Sequence, residues 1–156
     1  MTALKLYRHL PPENVLVAPP VSGREELFRV FAELFQARGV VETAAQVVAG
    51  LHEREAILST GIGQGIAVPH AQLPGIGRLV VAASTHPDGL AYPSLDGRPV
   101  RLAFCLLADA DAAADHLAGL ARIARLARRG QAVERLVHAE TGDDFVARLI
   151  ELEGEA

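Results

Sequence analysis

The chain has 156 residues with a formal net charge of -4, and 50% of its residues are hydrophobic. A chain of this length suits one domain around one buried core, so we expect a single domain over residues 1–156 with its core at about 14–150. The net negative charge, with no basic run interleaved with aromatic residues, argues against a nucleic-acid partner.

Two helices are predicted in the first third of the chain. Ser22 with Glu25, and Thr43 with Gln46, have the spacing of a capping box at a helix start. The second of these helices would carry Arg54 near its carboxyl end. The apolar stripes that support the two helices comprise Leu27, Val30, Phe31, Leu34 and Phe35 in the first and Val47, Val48, Leu51 and Leu58 in the second.

The segment from Thr60 to His70 reads Thr-Gly-Ile-Gly-Gln-Gly-Ile-Ala-Val-Pro-His. Its three alternate glycines allow φ > 0 and leave their N–H groups uncovered, a geometry that wraps an anion. Residues 66–68 read as a short buried strand, and Pro69 keeps Val68 extended, so His70 leaves the strand in a defined direction. The segment therefore predicts that the imidazole of His70 has a fixed direction and lies beside an anion-binding loop formed by the glycines.

Three other motifs fail on spacing. A dinucleotide fingerprint needs its glycines between a strand and a helix, whereas these follow a helix and open a strand. A hydrolase nucleophile elbow needs serine where Gly63 stands. The helix of a zinc protease would start at His52 and Glu53 but needs a second histidine where Ala56 stands. We expect no metal and no cofactor.

The second half of the chain predicts two strands and two further helices. Residues 78–84 and 100–107 are almost continuously apolar, as strands are when helices cover both faces of a sheet. A third helix is predicted over 115–129, and Thr141 with Asp144 caps a last one. The alternation predicts an α/β fold. The residues predicted to face inward are Leu117, Leu120, Ala124 and Ala127 in the third helix and Phe145, Leu149 and Ile150 in the last.

Several segments together resemble a known family. Arg54-Glu55, Thr60-Gly-Ile-Gly and Gly65-Ile-Ala-Val-Pro-His70 are similar to the signature of fructose/mannitol-type enzyme IIA domains of the bacterial phosphoenolpyruvate-dependent phosphotransferase system. Asp96-Gly-Arg-Pro-Val100 and His116-Leu117 follow in the order of that family. The resemblance implies a single α/β domain with a mixed central sheet flanked by helices on both faces.

The resemblance also implies a chemistry for these residues. His70 would accept phosphate from an HPr-like phosphocarrier and pass it to a cysteine on a IIB domain, and neutral imidazole is a suitable nucleophile for this step. Arg54 would compensate the phosphoryl charge as a planar fork, and His116, at a helix start, would donate a further hydrogen bond. The backbone contacts to phosphate are expected from Thr60, Gly61, Gly63 and Gly65.

Three functions stay open within this resemblance. The first is a sugar-uptake IIA protein that passes phosphate to a IIB partner, with docking on a membrane permease complex also open. The second is a nitrogen-type regulatory IIA that binds target proteins according to the phosphorylation of His70. The third is a scaffold of the same fold that accepts no phosphate. The intact Pro-His segment weighs against the third.

Location and surface are predicted from simpler features. Cys105 is the only cysteine and no charged and apolar leader opens the chain, so we expect a cytoplasmic protein. The apolar stretch 101–108 falls short of the roughly 20 residues that span a bilayer, so the chain is not expected to be membrane-embedded. Two sets of residues are assigned to the solvated surface, Arg122, Arg125, Arg128 and Arg129 in a helical row and the motif-free His9, His52, His86 and His138.

Overall fold

Helices and strands alternate along the chain, and the computed structural model describes residues 4–154. The helices are α1 (Arg24–Ala37), α2 (Ala44–Glu55), α3 (Ala113–Arg128), α4 (Ala132–Val137) and α5 (Gly142–Gly154). The strands are β1 (Val15–Val17), β2 (Gly61–Gly63), β3 (Ile66–Ala67), β4 (His70–Gln72), β5 (Val80–Leu90) and β6 (Val100–Ala108). Short 3-10 turns occupy Leu6–His9, Pro12–Asn14 and Ala110–Ala112.

The strands form one six-stranded mixed sheet in the order β1-β5-β6-β3-β2, with β4 also pairing β6. Strands β5 and β6 are antiparallel, whereas β1 runs parallel to β5 and both β3 and β4 run parallel to β6. In this register His70 lies opposite Leu106, and Leu106 lies opposite Val81. The sheet therefore presents His70 beside the carboxyl-terminal part of β6.

Helices cover both faces of the sheet and produce two buried clusters. Helices α1 and α2 bury Phe28, Phe31 and Val47 against one face. Helices α3, α4 and α5 bury Ile123, Leu136, Phe145 and others against the opposite face. Strand β6 and residues 80–86 of β5 are buried almost throughout, which explains their apolar runs. The predicted α/β fold, with a mixed central sheet flanked on both faces, is confirmed.

The predicted helix caps are confirmed in part. At α5 the Asp144 N–H donates to Thr141 Oγ1 at 3.0 Å, as the capping pattern predicts. At α2 Thr43 is the N-cap residue but its hydroxyl bonds a side chain, Gln46, rather than the backbone. At α1 the prediction is wrong, because Gly23 is the N-cap and the Ser22 hydroxyl bonds Glu26 instead of Glu25. Helices α1 and α2 lack a side-chain hydrogen bond at the cap. They are therefore stabilised mainly by the packing of their buried faces.

The apolar stripe of α3 is displaced by one residue from the predicted one. Leu117 was expected inside, yet its side chain is 69% exposed, and Leu120 is only partly buried. The buried row runs through His116, Gly119, Ile123 and Leu126. Two of these four are not apolar side chains, so a pattern based on hydrophobicity alone selects the neighbouring row. Leu58 and Ile150 are also exposed, although the predicted apolar stripes place both on buried faces.

Two glycines let helices approach the sheet next to His70. A Cβ atom at Gly50 on α2 would lie 3.0 Å from Leu73 Cδ2 and 3.1 Å from Ala71 Cβ. A Cβ atom at Gly119 on α3 would lie 3.0 Å from Leu106 Cδ2. Because these contacts are tighter than ordinary side-chain packing allows, glycine sets the distance of both helices from the strands that flank His70.

The helices between residues 4 and 154 are not membrane-spanning candidates, since none combines the length and apolar character that crossing a bilayer requires.

We expect Gly61→Ala to destabilise the protein by about 1–3 kcal/mol, the usual cost of overpacking. The new Cβ atom would lie 2.2 Å from the Pro93 carbonyl oxygen and 2.9 Å from Ser94 Cα, and backbone atoms cannot rotate away. Urea unfolding measures the change. Gly130→Ala is the control, since no other residue between 4 and 154, its chain neighbours aside, lies within 4 Å of its added Cβ. Equal unfolding midpoints for the two variants would contradict the prediction.

Candidate functional site

His70, Arg54 and His116 line one cavity of about 700 Å³. His70 enters it from β4, Arg54 from the last turn of α2 and His116 from the first turn of α3. The rim is apolar and exposed at two points, Ile57 at 78% and Leu117 at 69%. The structure thus brings together the three side chains that the sequence selected.

The ring of His70 is held by its own backbone. Nδ1 lies 2.7 Å from the Val68 carbonyl oxygen, which can only accept a hydrogen bond, so Nδ1 carries the proton. Nε2 is then the nitrogen with the free electron pair. Burial lowers the pKa of His70, the Arg54 guanidinium lowers it further, and the hydrogen bond to Val68 opposes both. His70 therefore presents a neutral, nucleophilic imidazole at neutral pH.

His116 lies directly beside His70. The two ring centroids are 5.4 Å apart and the rings are nearly perpendicular, at 89°. Burial, reinforced by the neighbouring His70, lowers the pKa of His116 to about 4, so this ring is also neutral at pH 7. Its Nε2 atom is buried and has no hydrogen-bond partner in the part of the chain that the structure describes. A buried ring nitrogen without a partner is rare and marks a place where a ligand atom can bind.

Arg54 is partly exposed at the end of α2, as the sequence predicted. Its Nη1 atom donates to the Leu58 carbonyl at 2.8 Å, which anchors one edge of the guanidinium group. Arg54 also lines the cavity shared with His70. An arginine in this position supplies a fixed positive charge with further N–H donors for an anion.

Thr60, predicted to contact phosphate, is buried in a different set of contacts. Its N–H and hydroxyl both donate to the Glu55 carboxylate, at 2.9 and 2.6 Å, and its hydroxyl lies 2.7 Å from Tyr92 Oη. Arg24 lies 3.6 Å from the same carboxylate. These bonds fix the end of α2 against the start of β2, and they leave Thr60 outside the cavity of His70.

The three predicted cradle glycines are also placed away from that cavity. Gly63 and Gly65 do adopt positive φ, 89° and 80°, in the hairpin that joins β2 to β3. The anion that this hairpin holds belongs to the chain itself, because the Gln64 N–H donates to Asp96 at 3.0 Å. Gly61 is glycine for another reason, the close approach of Pro93 described above. The structure does not bring these glycines to His70.

Several residues that line the cavity belong to none of the sequence motifs. Their signal is helical spacing, since residues one turn apart on α2 and on α3 face the same space. Steps of three or four residues along α2 lead from Gln46 to Gly50 and then to Glu53 and Arg54, so following this face of the helix finds the two polar residues Gln46 and Glu53. The additional lining residues include Gln46, Gly50, Glu53, Ile57, Leu73, Leu117 and Leu120.

Comparison with known proteins supports the resemblance over almost the whole chain. Residues 8–152 match the profile of the phosphoenolpyruvate-dependent sugar phosphotransferase system, EIIA 2. A nitrogen regulatory protein of Bradyrhizobium diazoefficiens is 36% identical over 126 residues, 80% of this chain and 81% of that protein.

Two solved structures share the fold. Nitrogen regulatory protein IIA-Ntr of Neisseria meningitidis superposes with a TM-score of 0.85 and 28% identity, covering 92% of this chain and 98% of that one. The mannitol IIA protein of Escherichia coli, solved in complex with phosphorylated mannitol IIB, has a TM-score of 0.74 and 22% identity, covering 89% and 95%.

Proposed function

The chain belongs to the EIIA 2 family of the phosphoenolpyruvate-dependent sugar phosphotransferase system, and from this premise we propose that it carries a phosphoryl group on Nε2 of His70. The observation that carries the proposal is the bond from Nδ1 to the Val68 carbonyl, because it fixes both the tautomer and the direction of the ring. The unpartnered nitrogen of His116 and the guanidinium of Arg54 flank the same nucleophile.

The proposed step needs no proton transfer at His70. The electron pair of Nε2 attacks the phosphorus of a phosphorylated HPr-like donor, a nitrogen–phosphorus bond forms, and the bond to the donor breaks with its electron pair. The reverse displacement, by a cysteine thiolate of a IIB domain, would discharge the carrier. Phosphoryl transfer asks the protein mainly for alignment and for charge compensation on the equatorial oxygens. We assign this charge compensation to Arg54 and His116. The glycine hairpin has no role in it.

The test is phosphorylation of the purified chain with phosphoenolpyruvate, enzyme I and HPr, followed by intact-mass measurement. We expect the wild type to gain one phosphoryl group that is lost in acid, because a phosphoramidate is acid-labile. His70→Ala should gain none, while His138→Ala, which changes an exposed histidine elsewhere, should label like the wild type. Full labelling of His70→Ala, or an unmodified wild type, would reject the proposal; the second result would favour the scaffold interpretation.

We propose the exposed apolar rim as the docking surface for both protein partners. Ile57 and Leu117 flank the mouth of the cavity, so a partner that covers them also excludes water from His70. Any donor or acceptor must reach the same nucleophile, and hence the same surface. The mannitol IIA relative, solved with a IIB protein, is a precedent for such a partner.

A regulatory role is a second candidate, and the names of the relatives favour it over sugar uptake. Both the Bradyrhizobium and the Neisseria relatives are called nitrogen regulatory proteins. A pull-down that compares phosphorylated wild type with His70→Ala separates the two roles. Recovery of a IIB protein with the phosphorylated form supports transport. Recovery of a partner that distinguishes the two forms and contains no IIB domain supports regulation.

We expect His116→Ala to slow transfer onto His70 without abolishing it. The nucleophile and Arg54 remain, and the loss of one neutral hydrogen bond to a phosphoryl oxygen costs about 1 kcal/mol, roughly a fivefold change in rate. Rapid-quench measurement with phosphorylated HPr gives the rate. A rate equal to wild type at saturating donor would remove His116 from the site, and complete loss of labelling would make it the acceptor instead of a partner.

A further inference from the structure

A second cavity, of about 370 Å³, lies at the amino-terminal side of the sheet. It is formed by the segment from Tyr7 to Asn14, the end of α1 near Arg38, and the start of β5 near Arg78. None of its lining residues belongs to the cavity of His70. The volume is near the lower end of the roughly 300–1,000 Å³ typical of small-molecule sites.

The cavity is strongly positive. Arg8, Arg38 and Arg78 all line it, together with His9. The carboxylate of Glu13 lies 3.7 Å from Arg38, and this pair is largely exposed. Between residues 4 and 154 no carboxylate lies within ion-pair distance of Arg8 or Arg78, and Arg8 instead stacks 5.5 Å from the centre of the Tyr7 ring. Three arginine side chains therefore line one cavity, and among residues 4–154 only Arg38 of the three has a carboxylate within ion-pair distance.

Asn14 lines the same cavity, and its side chain contains a buried acceptor without a partner among residues 4–154. Asn14 is only 2% exposed, and its Nδ2 donates to the Val81 carbonyl oxygen at 3.1 Å. That bond fixes the amide orientation, because the flipped amide would set two oxygens against each other. Oδ1 is then left without any hydrogen-bond partner among the residues that the structure describes. A buried acceptor without a hydrogen bond destabilises the protein, so a donor from a ligand would be stabilising.

We propose that this second cavity binds a small phosphomonoester that also carries a hydroxyl group. The phosphate meets the guanidinium groups of Arg8, Arg38 and Arg78, whose planar forks suit a phosphate dianion. The hydroxyl donates to Asn14 Oδ1. The donor must be neutral, since an ammonium group would be repelled by the three arginines. Together the two requirements select a phosphorylated polyol or sugar over an amino acid or a simple anion.

Calorimetric titration of the full chain tests the pairing of these two groups. The probes are glycerol 3-phosphate, methyl phosphate, which lacks the hydroxyl, and glycerol, which lacks the phosphate. We expect glycerol 3-phosphate to bind about tenfold more tightly than methyl phosphate, the value of one hydrogen bond to a buried acceptor, and glycerol not to bind. Equal affinities for the two phosphates would overturn the role of Asn14, and no binding of glycerol 3-phosphate at millimolar concentration would overturn the site.

Two substitutions on the surface locate the binding. Arg78 is exposed, so Arg78→Gln is expected to fold normally and to weaken binding of glycerol 3-phosphate by about tenfold or more. Arg29→Gln removes an exposed arginine on α1 and should leave the affinity unchanged. NMR shifts on titration should appear at the Asn14 side-chain amide and not at His70. Equal weakening by both substitutions, or shifts confined to His70, would show non-specific or active-site binding and reject the proposal.

Discussion

Arg54→Ala is expected to slow phosphoryl transfer onto His70 by about a hundredfold to a thousandfold, the usual effect of removing one fixed group that stabilises transition-state charge. Arg54 lines the cavity of His70 and is anchored by its bond to the Leu58 carbonyl, so its charge is already in place before the donor arrives. Arg54→Lys keeps the charge and loses the planar fork, and it should fall between alanine and wild type. Rapid-quench kinetics with phosphorylated HPr gives the rates.

The same variant has a second readout. Because the Arg54 guanidinium helps to lower the pKa of His70, its removal should raise that pKa toward the ordinary value for histidine, which an NMR titration measures. The rate defect should persist above this pKa, where His70 is neutral in both proteins. Arg135→Ala, which removes an arginine bound to Glu151, is the control and should change neither quantity. A defect that vanishes at high pH would mean that Arg54 acts only on the protonation of His70.

The sequence predicted the local parts of this site well. The continuous apolar runs of β5 and β6 and the position of Arg54 in the last turn of α2 follow from patterns within a few residues. The positive φ of Gly63 and Gly65 is equally local. The group that the glycine hairpin binds cannot be predicted locally, because the carboxylate of Asp96 comes from a loop 32 residues further along the chain than Gln64. A motif therefore predicts the backbone conformation of a loop more reliably than it predicts which group that loop binds.

Histidines without a motif illustrate the same limit. His86 was assigned to the surface, yet it is 6% exposed and its Nε2 lies 2.7 Å from the Ser84 hydroxyl. Its burial follows from its place in β5, because the apolar pattern predicts this strand only to residue 84 whereas the structure extends it to Leu90. Arg122, assigned to a solvated row, has a side chain that is only 11% exposed. In both cases the partner or the neighbouring strand, and not the residue type, decides the environment.

The partner of Arg122 is Glu153, whose side chain is 1% exposed. One carboxylate oxygen accepts from the Leu6 N–H at 2.8 Å and from Arg122 Nε at 3.0 Å, and the other accepts from the Tyr7 N–H at 2.9 Å. Glu153 thus joins three distant parts of the chain, the turn Leu6–His9, the middle of α3 and the end of α5. No local sequence pattern predicts these contacts, because Glu153 is 31 residues from Arg122 and 147 residues from Leu6.

Glu153→Ala is therefore expected to destabilise the protein by about 3–5 kcal/mol, since it removes the carboxylate that pairs with the largely buried Arg122 and leaves Arg122 Nε and the N–H groups of Leu6 and Tyr7 without their acceptor. Glu153→Gln keeps one acceptor oxygen and should cost less. The matched control is Glu151→Ala, two residues away, which breaks an exposed pair with Arg135 worth about 0–1 kcal/mol. Urea unfolding of the three variants gives the free energies, and equal losses for Glu153→Ala and Glu151→Ala would contradict the assignment. Because the turn released by Glu153→Ala carries Tyr7 and Arg8, the variant should also bind glycerol 3-phosphate more weakly while His70 still accepts phosphate.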